Sequence, residues 1–138
     1  MTDHRTLYDG LADCYSQFRP SYPEPLLASL SCAILAAPPH GGTVLDVGSG
    51  TGIFTRQLRE RLPPELAIVG VEPSPDMRAK AKATGAQAGI RYVDGAAECL
   101  PFEDGTARAV LAATAAHWFP RPAFYHEARR MQIGRAHV

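Results

Sequence analysis

The sequence predicts an α/β fold built on a doubly wound, parallel sheet, and three observations point to it. Short apolar runs rich in β-branched residues begin near positions 43, 67, 90 and 107. Helical patterns separate the early runs, as in repeated βαβ units. A glycine-rich segment follows the first run directly, at the place where such sheets bind ligands. The length of 138 residues allows one domain of this kind.

Residues 1–42 are predicted to form an N-terminal arm followed by one helix. The helix begins at Glu24 and ends before Pro38, because two consecutive prolines stop it. Its apolar residues recur at helical spacing and are expected to share one buried stripe. They are Leu26, Leu27, Leu30, Ile34 and Leu35.

Residues 43–131 are predicted to form the core of alternating strands and helices. The predicted strands are Thr43–Val47, Ala67–Val71, Ile90–Val93 and Ala107–Ala113. The predicted helices are Ile53–Arg61, Pro75 to about Ala83, and Pro122–Met131. Ser74 is expected to cap the second of these helices, since serine is favoured at the N-cap and proline at the next position.

Composition and charge narrow the classes of function. Fourteen Lys and Arg balance fourteen Asp and Glu, so we expect neither a nucleic acid nor a membrane surface as partner. The three cysteines form no CxxC pair, and no spacing of His, Cys, Asp or Glu is typical of a metal site. The start of the chain lacks the pattern of an export signal. We therefore expect a cytoplasmic protein without a bound metal, acting on a small molecule, with its cysteines buried as small apolar residues.

The glycine-rich segment has the spacing of an acid followed by three alternate glycines, from Asp46 to Gly52. Glycines allow a tight turn and let a ligand lie directly on the backbone. A dinucleotide fingerprint would need a glycine at position 53, where this chain has Ile53. A carboxylate beside the loop would repel a pyrophosphate but attract an ammonium or sulfonium group. The pattern therefore favours a cationic cofactor.

Glu72 ends the second predicted strand, 20 residues after Gly52. In doubly wound folds an acid at this place accepts hydrogen bonds from ribose hydroxyls. A solvated charge at the end of a strand is the alternative interpretation. Together with the glycine loop, the spacing favours the ribose role.

Taken in series, these segments resemble the class I S-adenosylmethionine (SAM)-dependent methyltransferases, in the group of type 11 methyltransferase domains that includes trans-aconitate methyltransferase. VLDVGSGTG resembles the first family motif, VGVEPSPDM the second, and DGAAECLPFEDG the third. AHWF and LADCYSQFRPSYP resemble the segment after the fourth strand and the N-terminal arm. The resemblance covers residues 8–131 and implies a Rossmann-like sheet with SAM as cofactor.

The resemblance also implies a cofactor site, residue by residue. The loop glycines would pass beneath the methionine part, Asp46 would organise the loop or its ammonium group, and Glu72 would hold the ribose. Pro73, Ser74 and Met77 would border the adenine. The full set is Asp46, Gly48, Ser49, Gly50, Thr51, Gly52, Glu72, Pro73, Ser74, Met77, Ala96, Ala97 and Glu98.

The segment from Ala96 to Glu98 contains one departure from the family. Ala97 would offer its backbone N–H to the adenine ring, but Ala96 stands where the family has Asp, Ser or Thr. Unless Glu98 or Asp94 replaces the lost acceptor, the affinity should fall by about 0.5–1.5 kcal/mol, the contribution of one hydrogen bond.

On the acceptor side, the resemblance implies methyl transfer to a small molecule, through a carboxylate or a hydroxyl. His117 is the candidate general base, or else a histidine that packs in the wall. Trp118 and Phe119 would line the acceptor pocket, or else belong to the core. Tyr15, Arg19 and Tyr22 would close over the cofactor as a lid, or else belong to an arm packed on the sheet. Oligomeric state is not predicted.

The final residues, Ile133 to Val138, resemble the translation of a common sequencing adapter, and the chain stops where that reading frame stops. We interpret residues 132–138 as a non-native tail, with the natural sequence ending at Met131. About four of the seven strands typical of the family are then present. We expect such a C-terminally truncated fragment to bind the cofactor poorly and to be inactive.

Two other functions stay open. A non-catalytic SAM-binding module would explain both Ala96 and the small number of strands. An NAD(P)-dependent oxidoreductase is disfavoured by Ile53 and by the acid at Asp46.

Overall fold

The computed structural model describes residues 21–36, 42–84, 89–113 and 119–132. Within them the chain alternates helices and strands, as the sequence predicts. The elements in order are α1 (Glu24–Ala36), β1 (Thr43–Val47), α2 (Ile53–Arg61), β2 (Ala67–Val71), α3 (Pro75–Thr84), β3 (Ile90–Val93), β4 (Ala107–Leu111) and α4 (Arg121–Met131).

The sheet is parallel, with strand order β3-β2-β1-β4. This confirms the α/β fold class. In this order Asp46 of β1 lies opposite Gly70 of β2, and Gly70 lies opposite Tyr92 of β3. These three residues therefore form one row across the sheet.

The bounds of β1, β2, β3 and α2 are those predicted. β4 ends at Leu111, two residues before the predicted end at Ala113. Its pairing with β1 shifts register after Thr43, which leaves Arg108 between the paired Ala107 and Ala109. The guanidinium of Arg108 donates to the carbonyls of Ile34 and Leu35 in the last turn of α1, at 2.9 Å each. Arg108 thereby satisfies carbonyl groups that lack partners within the helix.

Two apolar layers cover the two faces of the sheet, because successive strand residues point to opposite sides. One layer joins Val44 and Ile68 to residues of α1 and α2, including Phe54 and Leu58. The other layer joins strand residues to the loop after β3 and to α4. Its buried members are Leu45, Val47, Val69, Val71, Ala97, Leu100, Ala107, Phe124 and Met131.

The predicted stripe of α1 is partly wrong. The helix buries Leu27, Ser31 and Ile34, whereas Leu26 and Leu35 are each 44% exposed. Burial follows the narrow line along which the helix contacts the sheet layer, and these two leucines flank that line. The prediction that the cysteines are buried is also wrong for the two that the structure describes, because Cys32 and Cys99 are both exposed. Cys14 lies outside the described residues.

Arg59 lies at the amino end of the sheet and links α2 to the segments before β2 and β3. Its guanidinium is buried and donates to the carbonyls of Leu62, Leu66 and Gly89, at 3.2, 2.6 and 3.3 Å, and to that of Pro63. These bonds tie the end of α2 to the start of β2 and β3. The opposite end of the strands carries the glycine loop.

At the end of α4, Gln132 forms an isolated parallel bridge with Ala107 of β4. Gln132 is the first residue of the segment interpreted as a non-native tail, and residues 133–138 lie outside the described part. None of the helices in the described ranges is long and apolar enough to cross a membrane.

Candidate functional site

The loop between β1 and α2 depends on glycine at three positions. Gly48, Gly50 and Gly52 have φ angles of 74°, 58° and 85°, in the left-handed region that costs other residues roughly 1–2 kcal/mol. The backbone N–H groups of Gly48 and Ser49 both donate to the carbonyl of Val71, at 2.8 and 3.2 Å. These bonds hold the loop against the end of β2.

Glu72 lies beside this loop, directly after β2. Its Oε1 accepts a hydrogen bond from the N–H of Gly50 and its Oε2 accepts one from the N–H of Ser74, both at 2.9 Å. Only 8% of the residue is exposed. The alternative of a solvated strand-end charge is therefore wrong, because the carboxylate is fixed between the glycine loop and the start of α3.

Asp46 is the second acid of the site and is 1% exposed. Its Oδ2 accepts a hydrogen bond from Oγ1 of Thr55 on α2, at 2.7 Å. Burial raises the pKa of Asp46 to about 7; the Thr55 hydrogen bond lowers this pKa, and the negative charge of Glu72 raises it further. Near neutral pH the carboxyl group beneath the loop therefore titrates.

Tyr92 supports the loop from below and was missed by the sequence reasoning. A Cβ atom on Gly70 would lie 2.7 Å from Cδ1 of Tyr92, and a Cβ atom on Gly52 would lie 2.5 Å from its hydroxyl oxygen. The ring thus passes over Gly70 and reaches the loop. A glycine inside an apolar strand often marks a close approach of this kind, so Gly70 was the available signal.

Arg56 holds the loop from the side of α2. Its Nη1 donates to the carbonyl of Thr51 at 2.8 Å and would lie 2.8 Å from a Cβ atom on Gly52. Burial raises the pKa of Tyr92, and the charge of Arg56 and its side-chain hydrogen bonding act against that increase. Arg56 and Tyr92 therefore meet beneath Gly52.

The residues expected at the adenine lie at the start of α3. Ser74 caps this helix as predicted, because its Oγ accepts a hydrogen bond from the N–H of Met77 at 3.3 Å. Both residues are 1% exposed, so Met77 packs beneath the site surface. Arg78 joins the ends of two strands by donating to the carbonyl of Glu72 at 2.7 Å and to Asp94 at 3.3 Å.

The loop after β3 contains Ala96, Ala97 and Glu98 and is fastened to α4. A short antiparallel bridge joins Ala96 to Cys99, and Ala97 is buried in the layer beside α4. Glu98 is half-buried. The bridge and the burial of Ala97 therefore fix this loop against the layer beside α4.

Two residues of α4 fasten this loop. Glu127 accepts a hydrogen bond from the N–H of Leu100 at 3.2 Å and one from Arg130. Arg130 also donates to the carbonyls of Leu100 and Phe102, at 3.1 and 2.9 Å, and to Asp104 at 2.7 Å. The hydrogen bond with Glu127 is the main cause that raises the pKa of Arg130. No sequence spacing predicts the hydrogen bonds of Glu127 and Arg130 with the backbone of Leu100 and Phe102.

The acceptor-side residues are only partly described. Tyr22 contacts Phe54 edge to face, with ring centroids 5.0 Å apart, and its backbone exchanges two hydrogen bonds of 3.1 Å with the side chain of Gln57. Phe119 contacts Phe124 in the same manner at 5.0 Å and packs against the layer beside α4. Tyr15, Arg19, His117 and Trp118 lie outside the described residues.

The loop carries polar atoms that suit a polar ligand. In the described ranges, Oγ of Ser49 and Oγ1 of Thr51 are buried and have no hydrogen-bond partner. An unpartnered buried polar group costs about 1–3 kcal/mol, and hydroxyls can both donate and accept. Together with a carboxylate at Glu72, they fit a ligand that has amino, carboxylate and hydroxyl groups, such as SAM. No three His, Cys, Asp or Glu side chains of the described ranges cluster in a way that could hold a metal ion.

Comparison with known proteins decides the family. Residues 44–132 match the family described as "Methyltransferase domain". The chain belongs to the methyltransferase domain family. It is 39% identical over 97 residues to an uncharacterized methyltransferase of Mycobacterium sp. strain JLS, which covers 70% of this chain and 36% of that protein.

Longer alignments give the same family. The chain is 36% identical over 128 residues to an uncharacterized methyltransferase of Mycobacterium bovis, covering 92% of this chain and 48% of the relative. It is also similar to the structure of a type II methyltransferase from Anaeromyxobacter dehalogenans, with TM-score 0.68 and 28% identity over 84% of this chain and 45% of that one. This chain therefore spans less than half of the length of each of these three proteins.

Proposed function

We propose that the chain binds SAM between the glycine loop and Glu72, as the cofactor-binding part of a methyltransferase that acts on a small molecule. The observation that carries the proposal is the fixed carboxylate of Glu72. It is held 2.9 Å from the N–H of Gly50 and 2.9 Å from that of Ser74, at the carboxyl end of β2. An acceptor at this place suits the two ribose hydroxyls.

The two buried acids favour a cation over a phosphorylated cofactor. Asp46 and Glu72 are 1% and 8% exposed, and in a site so poorly solvated like charges repel strongly. A pyrophosphate on the loop would keep the buried carboxyl group of Asp46 from ionising, whereas a cation would favour its ionised form. This argues against NAD(P) and for a ligand with ammonium and sulfonium groups.

The chain's own contribution to the reaction is positioning. When bound, SAM supplies the methyl group from its sulfonium sulfur. The loop glycines allow the backbone to approach the methionine part, while Pro73, Ser74, Met77, Ala97 and the loop after β3 border the adenine. Holding the methyl group and an acceptor in line lowers the barrier, because a step between two oriented groups replaces an encounter between two free molecules.

The acceptor side follows from the family resemblance. We propose a carboxylate or hydroxyl acceptor, with His117 as the base where one is needed and Trp118 and Phe119 in the pocket wall. Tyr15, Arg19 and Tyr22 would close over the cofactor as a lid. Membership of the type 11, trans-aconitate methyltransferase-like subgroup is part of the same proposal.

A non-catalytic SAM-binding module is the second candidate, and Ala96 favours it. Alanine offers no side-chain acceptor to the adenine amino group. Retained SAM affinity, with no transfer of labelled methyl groups to any carboxylic acid or alcohol in a metabolite panel, would support this candidate over the enzyme.

Isothermal titration calorimetry with SAM and with NADH tests the binding proposal. We expect heat with SAM only, and at least tenfold weaker SAM binding by Glu72→Ala. Glu65→Gln is the control, because Glu65 is an exposed acid next to the amino end of β2, away from the loop. Binding of NADH without binding of SAM, or an unchanged dissociation constant for Glu72→Ala, would overturn the proposal.

A further inference from the structure

Asp46 lies at the centre of a buried polar group beneath the glycine loop. β4 places the apolar Leu111 opposite it, whereas α2, β3 and the end of β2 contribute side chains that can bear charge or donate a hydrogen bond. These are Thr55 and Arg56 from α2, Tyr92 from β3, and Glu72 from the end of β2.

The one basic side chain in this group is turned toward the loop. Nη1 of Arg56 donates to the carbonyl of Thr51 at 2.8 Å, and the charge of Arg56 acts on Tyr92. The influences on Asp46 are burial, the hydroxyl of Thr55 and the negative charge of Glu72. Among the described residues, Asp46 therefore faces a second acid and a hydroxyl, with no compensating cation.

We propose that Asp46 is protonated in the ligand-free protein at mildly acidic pH and that binding of the cationic cofactor releases its proton to solvent. The inference rests on the proposed function, because it needs SAM at this loop. The O–H bond of the carboxyl group breaks, the proton passes to the buffer, and the carboxylate remains as a counter-ion for the ligand.

The cause is electrostatic. Burial and the charge of Glu72 disfavour the carboxylate of Asp46 while the site holds no positive charge. The sulfonium and ammonium groups of SAM favour it, since an opposite charge nearby lowers the pKa of an acid. Binding should therefore strengthen as the pH rises toward 7 and level off above it. The amino group of SAM titrates at about 7.7–8.0, so pH 5.5–7 is the informative range.

Calorimetry in two buffers measures the proton directly. At pH 6.0 the binding enthalpy of SAM is compared in phosphate and in imidazole, whose ionisation enthalpies differ widely. For a pKa of about 7, we expect release of about 0.9 proton per SAM bound. Asp46→Asn should release none, whereas Asp104→Asn, a control at an exposed acid in the turn before β4, should behave as the wild type.

Thr55→Val supplies a second variant. It removes the hydrogen bond that lowers the pKa of Asp46, so proton release should persist to higher pH than in the wild type. Infrared spectra of the ligand-free protein should also show a protonated carboxyl band at pH 6.0 that is absent from Asp46→Asn.

The possible outcomes distinguish a failure of the proton-release proposal from a failure of the proposed function. SAM binding with equal enthalpy in both buffers would overturn the proton release and leave the proposed function standing. Proton release that persists in Asp46→Asn would overturn its assignment to this residue. No binding of SAM in either buffer would overturn both proposals.

Discussion

Replacing Asp46 by Asn should stabilise the ligand-free protein at neutral and alkaline pH. An Asp side chain in the unfolded chain ionises near 3.8, whereas burial raises the pKa of Asp46 in the folded protein to about 7. Between these values the folded state binds more protons than the unfolded state. The free energy of unfolding therefore decreases as the pH rises from about 4 to about 7 and is level above that.

The expected gain in the free energy of unfolding follows from the pKa shift of Asp46. A difference of roughly three pKa units corresponds to about 4 kcal/mol, at about 1.36 kcal/mol per unit. This is a large part of the 5–15 kcal/mol that is typical of the free energy of unfolding of a domain, on the order of a quarter or more. Asn has nearly the same size as Asp and keeps an oxygen that accepts the hydrogen bond from Thr55, but it has no charge.

Urea unfolding followed by circular dichroism at pH 4, 6 and 8 tests this reasoning. Asp46→Asn should match the wild type at pH 4 and exceed it at pH 8, by up to about 4 kcal/mol. Asp104→Asn should stay within about 1 kcal/mol of the wild type at pH 8, because an ion pair whose acid is exposed to solvent contributes little and Arg130 keeps its other hydrogen bonds. The same loss of stability by Asp46→Asn at pH 4 and pH 8 would refute the account.

Three further substitutions test the packing around the site. Gly70→Ala should lower the free energy of unfolding by about 1–3 kcal/mol, because the added methyl group overpacks against the ring of Tyr92. The midpoint of urea unfolding measures this loss, and adding Tyr92→Leu should recover part of it. Gly50→Ala should lower the free energy of unfolding by about 1–2 kcal/mol, because alanine disfavours the left-handed φ of this position. It should also weaken SAM binding at least tenfold, and a dissociation constant equal to that of the wild type in calorimetry would contradict this. Glu127→Gln should weaken the hold on the loop at Leu100 and cost about 1–3 kcal/mol, so an unchanged thermal midpoint would argue against that role.

Most of the fold follows from local patterns in the sequence. β1, β2 and β3 are short, apolar and β-branched, and the residues around them mark turns, so their bounds are predicted correctly. The end of β4 is not, because its neighbours in sequence, Ala112 and Ala113, are equally apolar. The exposure of Leu26 and Leu35 also escapes the pattern, since the helix contacts the sheet along a line narrower than its apolar stripe.

The candidate site is predictable only where spacing along the chain carries the signal. The glycine loop and Glu72 stand at fixed places relative to strands, so both were assigned. Tyr92 was missed because its position depends on the strand order and on the register that sets it opposite Gly70. Thr55 was missed because its contact with Asp46 depends on how α2 packs against β1. The hold of α4 on the loop after β3 likewise depends on packing between distant segments.

The central claim is that Glu72 receives the ribose of SAM, and a thermodynamic cycle tests it most directly. S-adenosylhomocysteine and its 2′-deoxyribose analogue are titrated into the wild type and into Glu72→Gln. A hydrogen bond to a charged acceptor contributes about 1.5–3 kcal/mol, so the wild type should bind the deoxy analogue at least tenfold more weakly. The variant should bind the two ligands within about twofold of each other. Equal discrimination by both proteins would contradict the claim.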